Sequence, residues 1–537
     1  MLPRLRPLLV AALLTFAPAV ASAAPTPTVE LGAPYKVIDA PMKQYFHING
    51  SVYALKIDGD DAVIQRFAVD GLKEVSRVEA ELPNGWMYET LTVVDGRAYL
   101  LYSLWDRKNT TEQLFAWEIT AEGAFAPEPR RIVAVQGKIA GNLSRTGFYS
   151  FNVTDKFRIS RSADEKTMVV RYRRKPEVRD DSVNKDVLGL WVFGPGLAEQ
   201  WHRELEMPYT EEKMDFWDEG VDSQGNAYIL AKVREGDGSD ERKKDEDIPN
   251  YHGEIFQVSP TSTEVRITPF GVADKFISSA GLYEVPGRGM VVAGAYNAGR
   301  TLAAADGLYT ARIGADGRLE QLAFHEIPIE ILKQNASARE ARRAERKEKK
   351  GDPAELAALT MRWMLVDPDG SITLIGEQYW IQVIYYQDSQ GRMQTRYVYH
   401  YDDMLMARVD AAGKLAWMRR LPKSQAGAAG QGGMSFARFS SDGAQYLVFL
   451  DNIKNLDLPP DKEPALHQDG QGGFLTAYKV TDSGDVSRIS ILDTRDVQDI
   501  ELFQLGVNRI VGVGPHTFVM EAYKKKKQDI LVRVELE

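Results

Sequence analysis

The chain contains no cysteine. That excludes disulfide bonds, thiolate metal ligands, a cysteine nucleophile and a lipid anchor on an N-terminal cysteine. Stability must come from a large apolar core, which a chain of 537 residues can supply. Histidine is scarce. The seven present (His47, His202, His252, His325, His400, His467 and His516) form no HxH, HxxxH or HExxH, so no zinc signature exists and no metal site is assigned. There is no G-x-S-x-G elbow, no Walker loop and no strand-linked G-x-G-x-x-G. Acidic turns such as VDPDGS (366–371) lack the full order of a calcium loop and read as Asp-Gly turns. Catalytic residues and cofactors are therefore left unassigned. Positive charge is also in deficit. With 66 Lys and Arg against 76 Asp and Glu the formal net charge is −10, which argues against a nucleic-acid partner or a broad anionic-membrane surface.

No apolar run is long enough to span a bilayer, which takes about 20 residues. The longest, residues 8–20, follows Arg4 and Arg6 and precedes the small-residue triplet Ala21-Ser22-Ala23. Basic, apolar and small segments in that order predict a signal peptide over 1–23, cleaved near Ala23, and a mature domain over 24–537 in the periplasm or the medium. N-x-S/T sequons at Asn109, Asn142, Asn152 and Asn335 would matter only in a eukaryotic host.

What the chain has in abundance is one recurring pattern. A β-rich segment is followed by a loop, then by a strand ending in an aromatic or small residue, x, Val/Ile and a turn. The endings are FAVDG (67–71), WEITAEG (117–123), WVFGPG (191–196), FQVSPTS (256–262), ARIGADG (311–317), ARVDAAG (407–413), YKVTDSG (478–484) and VRVELE (532–537). Their partners include VYALKID (52–58), AYLLYSL (98–104), AYILAKV (227–233) and TFVMEAY (517–523). β-Branched and aromatic enrichment marks these as strands. Each unit reads as four antiparallel strands, a to d. Seven units are complete and an eighth stops after strand c. The N-terminal segment TVELGAPYKVI (28–38) has no unit of its own and is placed to supply the missing strand. The prediction is an all-β protein, a single β-propeller of eight four-stranded blades, or seven if the third unit is irregular. Closing the ring this way removes the free sheet edge. In these strands, and most closely across GEQYW (376–380) and DDMLMARVDAAGKLAWMRRLPKSQ (402–425), the chain resembles bacterial exported β-propeller proteins, an uncharacterised secreted group from which no activity carries over.

The long insertions point to a working face. Four fall between strands b and c, at 175–186, 234–253, 385–396 and 453–473, and one between d and the next a, at 329–358. An antiparallel unit puts the b–c and d–a connections on one face of the disc, where loops on a rigid frame carry function. The 328–358 insertion holds SAREARRAERKEKK (337–350), a charged helical or disordered segment without an apolar stripe that could dock an acidic partner. The sixth unit is the most aromatic, and along its long b–c hairpin Tyr385, Tyr386, Tyr397 and His400 are candidate ligand-binding residues. Alternation within YVYHY separates Tyr397, Tyr399 and Tyr401 from Val398 and His400, and one set is expected to pack against neighbouring blades. Arg173 and Lys175, in RYRRKPEVRDD (171–181), could hold an anion, unless nearby acids neutralise them. The expected function is a binding scaffold for a protein or glycan on the loop-rich face. The alternative is a hydrolase or lyase at the channel mouth of that face.

Overall fold

The computed structural model describes residues 27–536 except 146–150, 177–182, 237–247, 272–274, 299–303, 315, 351–354, 429–432, 460–461, 469–472, 499–501 and 525–526. The segment read as a signal peptide lies outside the described residues. Among these residues, sheets of four or more antiparallel strands follow one another at 42–81, 87–136, 158–210, 214–270, 276–326, 359–421, 437–493 and 502–535, called sheets 1 to 8 below. Sheets 1 to 7 run a, b, c, d in chain order, and sheet 8 runs a, b, c with its fourth strand taken from Thr28–Leu31; most neighbouring sheets touch through their first strands. The first strand of sheet 1 (Met42–Ile48) lies against the first strand of sheet 8 (Leu502–Gly514), so the succession closes on itself. This is a β-propeller. Among the described residues no helix is long and apolar enough to cross a membrane.

The strands are apolar because each sheet is covered on both faces. In strand b of sheet 7 (Ala444–Asp451), Tyr446, Val448 and Leu450 enter the core shared with sheet 8, while Leu447 and Phe449 enter the core shared with sheet 6. Successive side chains point to opposite faces, so two covered faces require an unbroken apolar run. The same division recurs at every junction round the ring. Outer strands alternate instead: Glu74–Glu81 is half-buried and exposed by turns along its length. Two glycines in the third strands make room for aromatic rings. A Cβ on Gly189 would lie 1.9 Å from the Tyr172 ring opposite it, and one on Gly253 would lie 2.3 Å from Phe270.

The third unit forms a full four-stranded sheet, so it is not the irregular one. The b–c insertions and the 329–358 insertion are where the sequence puts them. A second d–a insertion was not anticipated: residues 137–157 carry a short hairpin, Asn142–Arg145 paired with Phe151–Thr154. The charged insertion contains two helices, α1 (Ile329–Lys333) and α2 (Ala338–Glu348). Ser337 caps α2: its Oγ accepts from Glu340 N at 3.2 Å, and Glu340 Oε2 accepts from Ser337 N at 3.0 Å. α1 is tied down from below, because Arg420 donates to Leu332 O at 2.6 Å. Asn335 Nδ2 donates to Pro459 O and Lys462 O of sheet 7 at 3.1 and 2.8 Å, so the amide of that sequon is already engaged.

The junction between sheets 8 and 1 differs from the others. Thr28–Leu31 pairs antiparallel with the last strand, Gln528–Glu535, in the register Thr28↔Glu535 to Leu31↔Val532. Its apolar core is small, with Val52, Ala54, Phe67 and Leu72 facing Val519 and Leu531. Beside it lies a buried ionic cluster. Lys56 Nζ is 2.5 Å from Glu521 Oε2 and 3.5 Å from Asp529 Oδ2, and the Lys56 and Glu521 side chains have no exposed surface. Lys43 approaches both carboxylates at 3.9 Å. Tyr35 donates to Glu521 at 2.5 Å, and Tyr45 donates to its other oxygen. Burial alone would raise the Glu521 pKa, but Lys56 and the two tyrosine hydroxyls more than offset it and hold the group below its ordinary value. Asp529 is pushed up, by burial first and by Glu521 second.

Two predictions follow from these buried charges. Lys56→Met leaves a carboxylate uncompensated and should cost about 3 kcal/mol or more of stability. Lys56→Met with Glu521→Leu should recover part of that loss. Urea unfolding reads both, and equal midpoints for parent and single variant would show that the pair contributes nothing. The second concerns Glu89, on the first strand of sheet 2, whose Oε2 accepts from Phe157 N at 3.2 Å. Burial pushes its pKa up to about 7. The folded protein therefore holds this proton more tightly than the unfolded chain. The stabilisation is complete below about pH 4.5 and disappears as the pH rises through about 7. Glu89→Gln should remove about 3 kcal/mol of that pH dependence. Urea midpoints at pH 4.5 and pH 8 measure it, and an unchanged difference between them would refute the assignment.

Candidate functional site

The loop-rich face carries one element unlike the rest. Strands b and c of sheet 6, Ile372–Gln387 and Met393–Val409, are 16 and 17 residues long, whereas strand b of sheet 1 has 8. Their inner halves lie in the sheet. The outer halves run on as an arm paired from Tyr379↔Tyr401 to Gln387↔Met393 and closed by a turn at 388–392; Gln425–Gly427 adds a third strand at its base, against Tyr399–Tyr401, and beyond that the arm is two-stranded. In the turn Asp388 accepts the backbone N–H groups of Gln390 and Arg392, each at 2.9 Å. No first strand covers the arm, since Leu359–Val366 ends its pairing at Gln378.

Register assigns the arm's two faces. Tyr379, Ile381, Val383, Tyr385, Met393, Tyr397, Tyr399 and Tyr401 share one face; Trp380, Gln382, Ile384, Tyr386, Arg396 and His400 share the other. At the base, Tyr379 and Tyr401 pack 4.9 Å apart with the Arg362 guanidinium over both rings. Further out the first face is open. Tyr385 is 70% exposed, Met393 68% and Tyr397 53%. The sequence predicts that one tyrosine set packs against neighbouring blades; Tyr401 instead packs within sheet 6 itself, against Tyr379, Arg362 and Lys423, and the arm leaves the sheet beyond it.

The six residues proposed from sequence do not form one constellation. Tyr385 and Tyr397 share the open face. Tyr386 and His400 lie on the other, where His400 stacks flat on Trp380 at 3.7 Å and Trp380 donates to Asp402 at 2.8 Å. Burial lowers the His400 pKa, with Asp402 opposing. Arg173 belongs to sheet 3 and has two carboxylates of its own, Asp186 at 3.1 Å and Glu211 at 2.9 Å. These two acids neutralise it; Glu177, Asp180 and Asp181, which the sequence offered as neutralising acids, lie outside the described residues. Lys175 is exposed. The aliphatic partners of the tyrosines, Ile381, Val383 and Met393, were missed by a reading fixed on aromatic residues. The signal available was the unusual length of alternating sequence on both sides of the turn.

Two cavities lie along the axis. One, of about 440 Å³, opens on the loop-rich face and is lined by Lys156, Arg171, Arg173, Asp186, Asp218 and Glu219 among others. The second, of about 1220 Å³, opens at the a–b turns on the opposite face, and Asp218 and Glu219 border both. Asp218 accepts from Leu282 N at 2.7 Å and Glu219 N at 2.9 Å, and burial pushes its pKa up to about 6. Glu219 takes both Arg171 Nε and Nη2, at 3.1 and 3.0 Å. Among the described residues no three His, Asp or Glu side chains gather as a metal site.

No family model and no curated protein matches the chain. Solved structures similar to it include a prolyl endopeptidase, at TM-score 0.32 and 9% identity over 79% of this chain and 54% of that one. The chain thus spans about half the length of that enzyme. They also include the β-propeller domain of the Trilobed protease from Pyrococcus furiosus, at TM-score 0.33 and 9% identity over 89% of this chain and 98% of that domain. An uncharacterised protein from Listeria monocytogenes aligns at TM-score 0.34 and 9% identity over 82% of this chain and 95% of that one. No activity carries over from likenesses of this depth.

Proposed function

We propose that the protein is an exported binding scaffold that takes a protein partner on the projecting arm of sheet 6. The observation that carries this reading is the open apolar face of Ile381, Val383, Tyr385, Met393 and Tyr397, displayed on two strands with nothing packed over it. Contiguous apolar surface of this kind marks an interaction site. Tyrosines supply large contact area at little conformational cost. The aliphatic residues between them favour a protein over a glycan, because a sugar platform needs hydrogen-bonding groups at its rim and this face offers few. Arg173 and Lys175 belong to sheet 3 and are not part of this surface. Export to the periplasm or medium rests on the order of basic, apolar and small residues in 1–23.

A second reading, a hydrolase or lyase at the loop-side cavity, is favoured by one pair. Burial raises the Asp218 pKa to about 6, and beside it Glu219 is ion-paired with Arg171 at 3.0 Å. A carboxyl group with a raised pKa next to a second carboxyl group suits general acid–base work.

Replacing residues 382–398 with an Asn-Gly turn should shorten the arm without disturbing sheet 6. The parent protein should then recover a partner from an envelope extract that the shortened form does not, and Tyr385→Ala with Tyr397→Ala should weaken binding about tenfold or more. Equal recovery by parent and shortened form would end the arm hypothesis. Turnover of a glycan or peptide that Asp218→Asn abolishes would move the function to the cavity.

A further inference from the structure

The cavity of about 1220 Å³ on the a–b side is walled by first strands of sheets 3 to 7. Its charged groups are almost all matched. Glu284 accepts from Ala163 N at 2.7 Å and from Ser223 N and Oγ at 2.8 Å. Arg408 lies 2.6 Å from Asp367 and 3.4 Å from Asp482. Arg161 pairs with Glu165 at 3.3 Å.

Arg438 is the exception. Its Nη1 donates to Ser440 Oγ at 2.6 Å and Gln445 Oε1 at 3.1 Å, both neutral acceptors. Its Nε is buried without a partner, and among the described residues no carboxylate forms an ion pair with it. The guanidinium sits 5.0 Å from the centre of the Trp363 ring, which stays 44% exposed at the cavity wall. Burial lowers the Arg438 pKa, and no acidic neighbour offsets it. A partly desolvated cation without a counter-charge is costly unless a ligand supplies one.

We propose that this cavity binds a small organic carboxylate, its acid group held by Arg438 and its body laid against the Trp363 ring. The charge pattern selects a monoanion. Glu165, Asp369 and Asp442 also border the cavity and would repel a multiply charged phosphate. The indole face rewards a ring, either a sugar acid stacking its C–H face or an aromatic acid. This site is independent of the arm on the other side of the disc.

Calorimetric titration of the purified protein with glucuronate, benzoate and glucose tests the proposal. Binding of either acid, with glucose inert, is expected, and which acid binds identifies the kind of body the ring accepts. Arg438→Gln should weaken that binding about tenfold or more, the factor carried by a charge-assisted hydrogen bond. Trp363→Leu should weaken it several-fold with the cation intact. Because that ring is largely exposed, this variant remains informative if Arg438→Gln lowers the thermal midpoint. Absence of binding by both acids, equal binding of glucose, or parent-like affinity in both variants would overturn the site.

Discussion

Everything in this molecule depends on the junction where the ring closes. Every other junction joins sheets consecutive in the chain around an apolar core, although buried pairs such as Lys423–Glu377 occur there too. The closing one must join the beginning of the chain to its end, and it does so by two devices. The first is backbone pairing of Thr28–Leu31 with the last strand. The second is the buried cluster of Lys56, Glu521, Asp529 and their tyrosine donors. An ion pair of this kind adds little net stability over a well-packed apolar contact. It does penalise any arrangement in which Glu521 meets a sheet without a lysine, so it specifies which edge belongs to which.

Much of the fold was legible in the sequence because its physics is periodic. A sheet covered on both faces needs continuous apolar runs such as AYILAKV, and an outer strand needs strict alternation such as EVSRVEAE. Both recur often enough to be counted. The role of the N-terminal segment followed from arithmetic, since the last unit lacked a strand and the first residues offered one. The hairpin at 142–154 was not legible. It is four residues a side, too short for its pattern to rise above that of a loop.

The candidate sites were legible in proportion to how local they are. The arm declares itself through a long alternating stretch on both sides of one turn, although reading it for aromatic rings alone hid Ile381, Val383 and Met393. Trp363 and Arg438 lie on strands of different sheets and meet only when the ring is assembled. Nothing within either strand marks them. The same holds for Lys56 and Glu521, which are distant in the chain, and for Arg173, whose partners include Asp186 on the next strand and Glu211 just past the end of the one after.

The pairing of Thr28 with Glu535 also bears on how the chain is made. Synthesis runs from the N-terminus, so the first strand emerges long before its neighbour exists. Until the final residues are available, the last sheet cannot be finished and its neighbours keep an unprotected edge. A chain that stops early, or loses its first residues, keeps raw hydrogen-bonding groups on display and is open to proteolysis and aggregation. The architecture thereby makes two distant segments answer for each other: only a polypeptide that carries both Thr28–Leu31 and Gln528–Glu535 can finish that sheet.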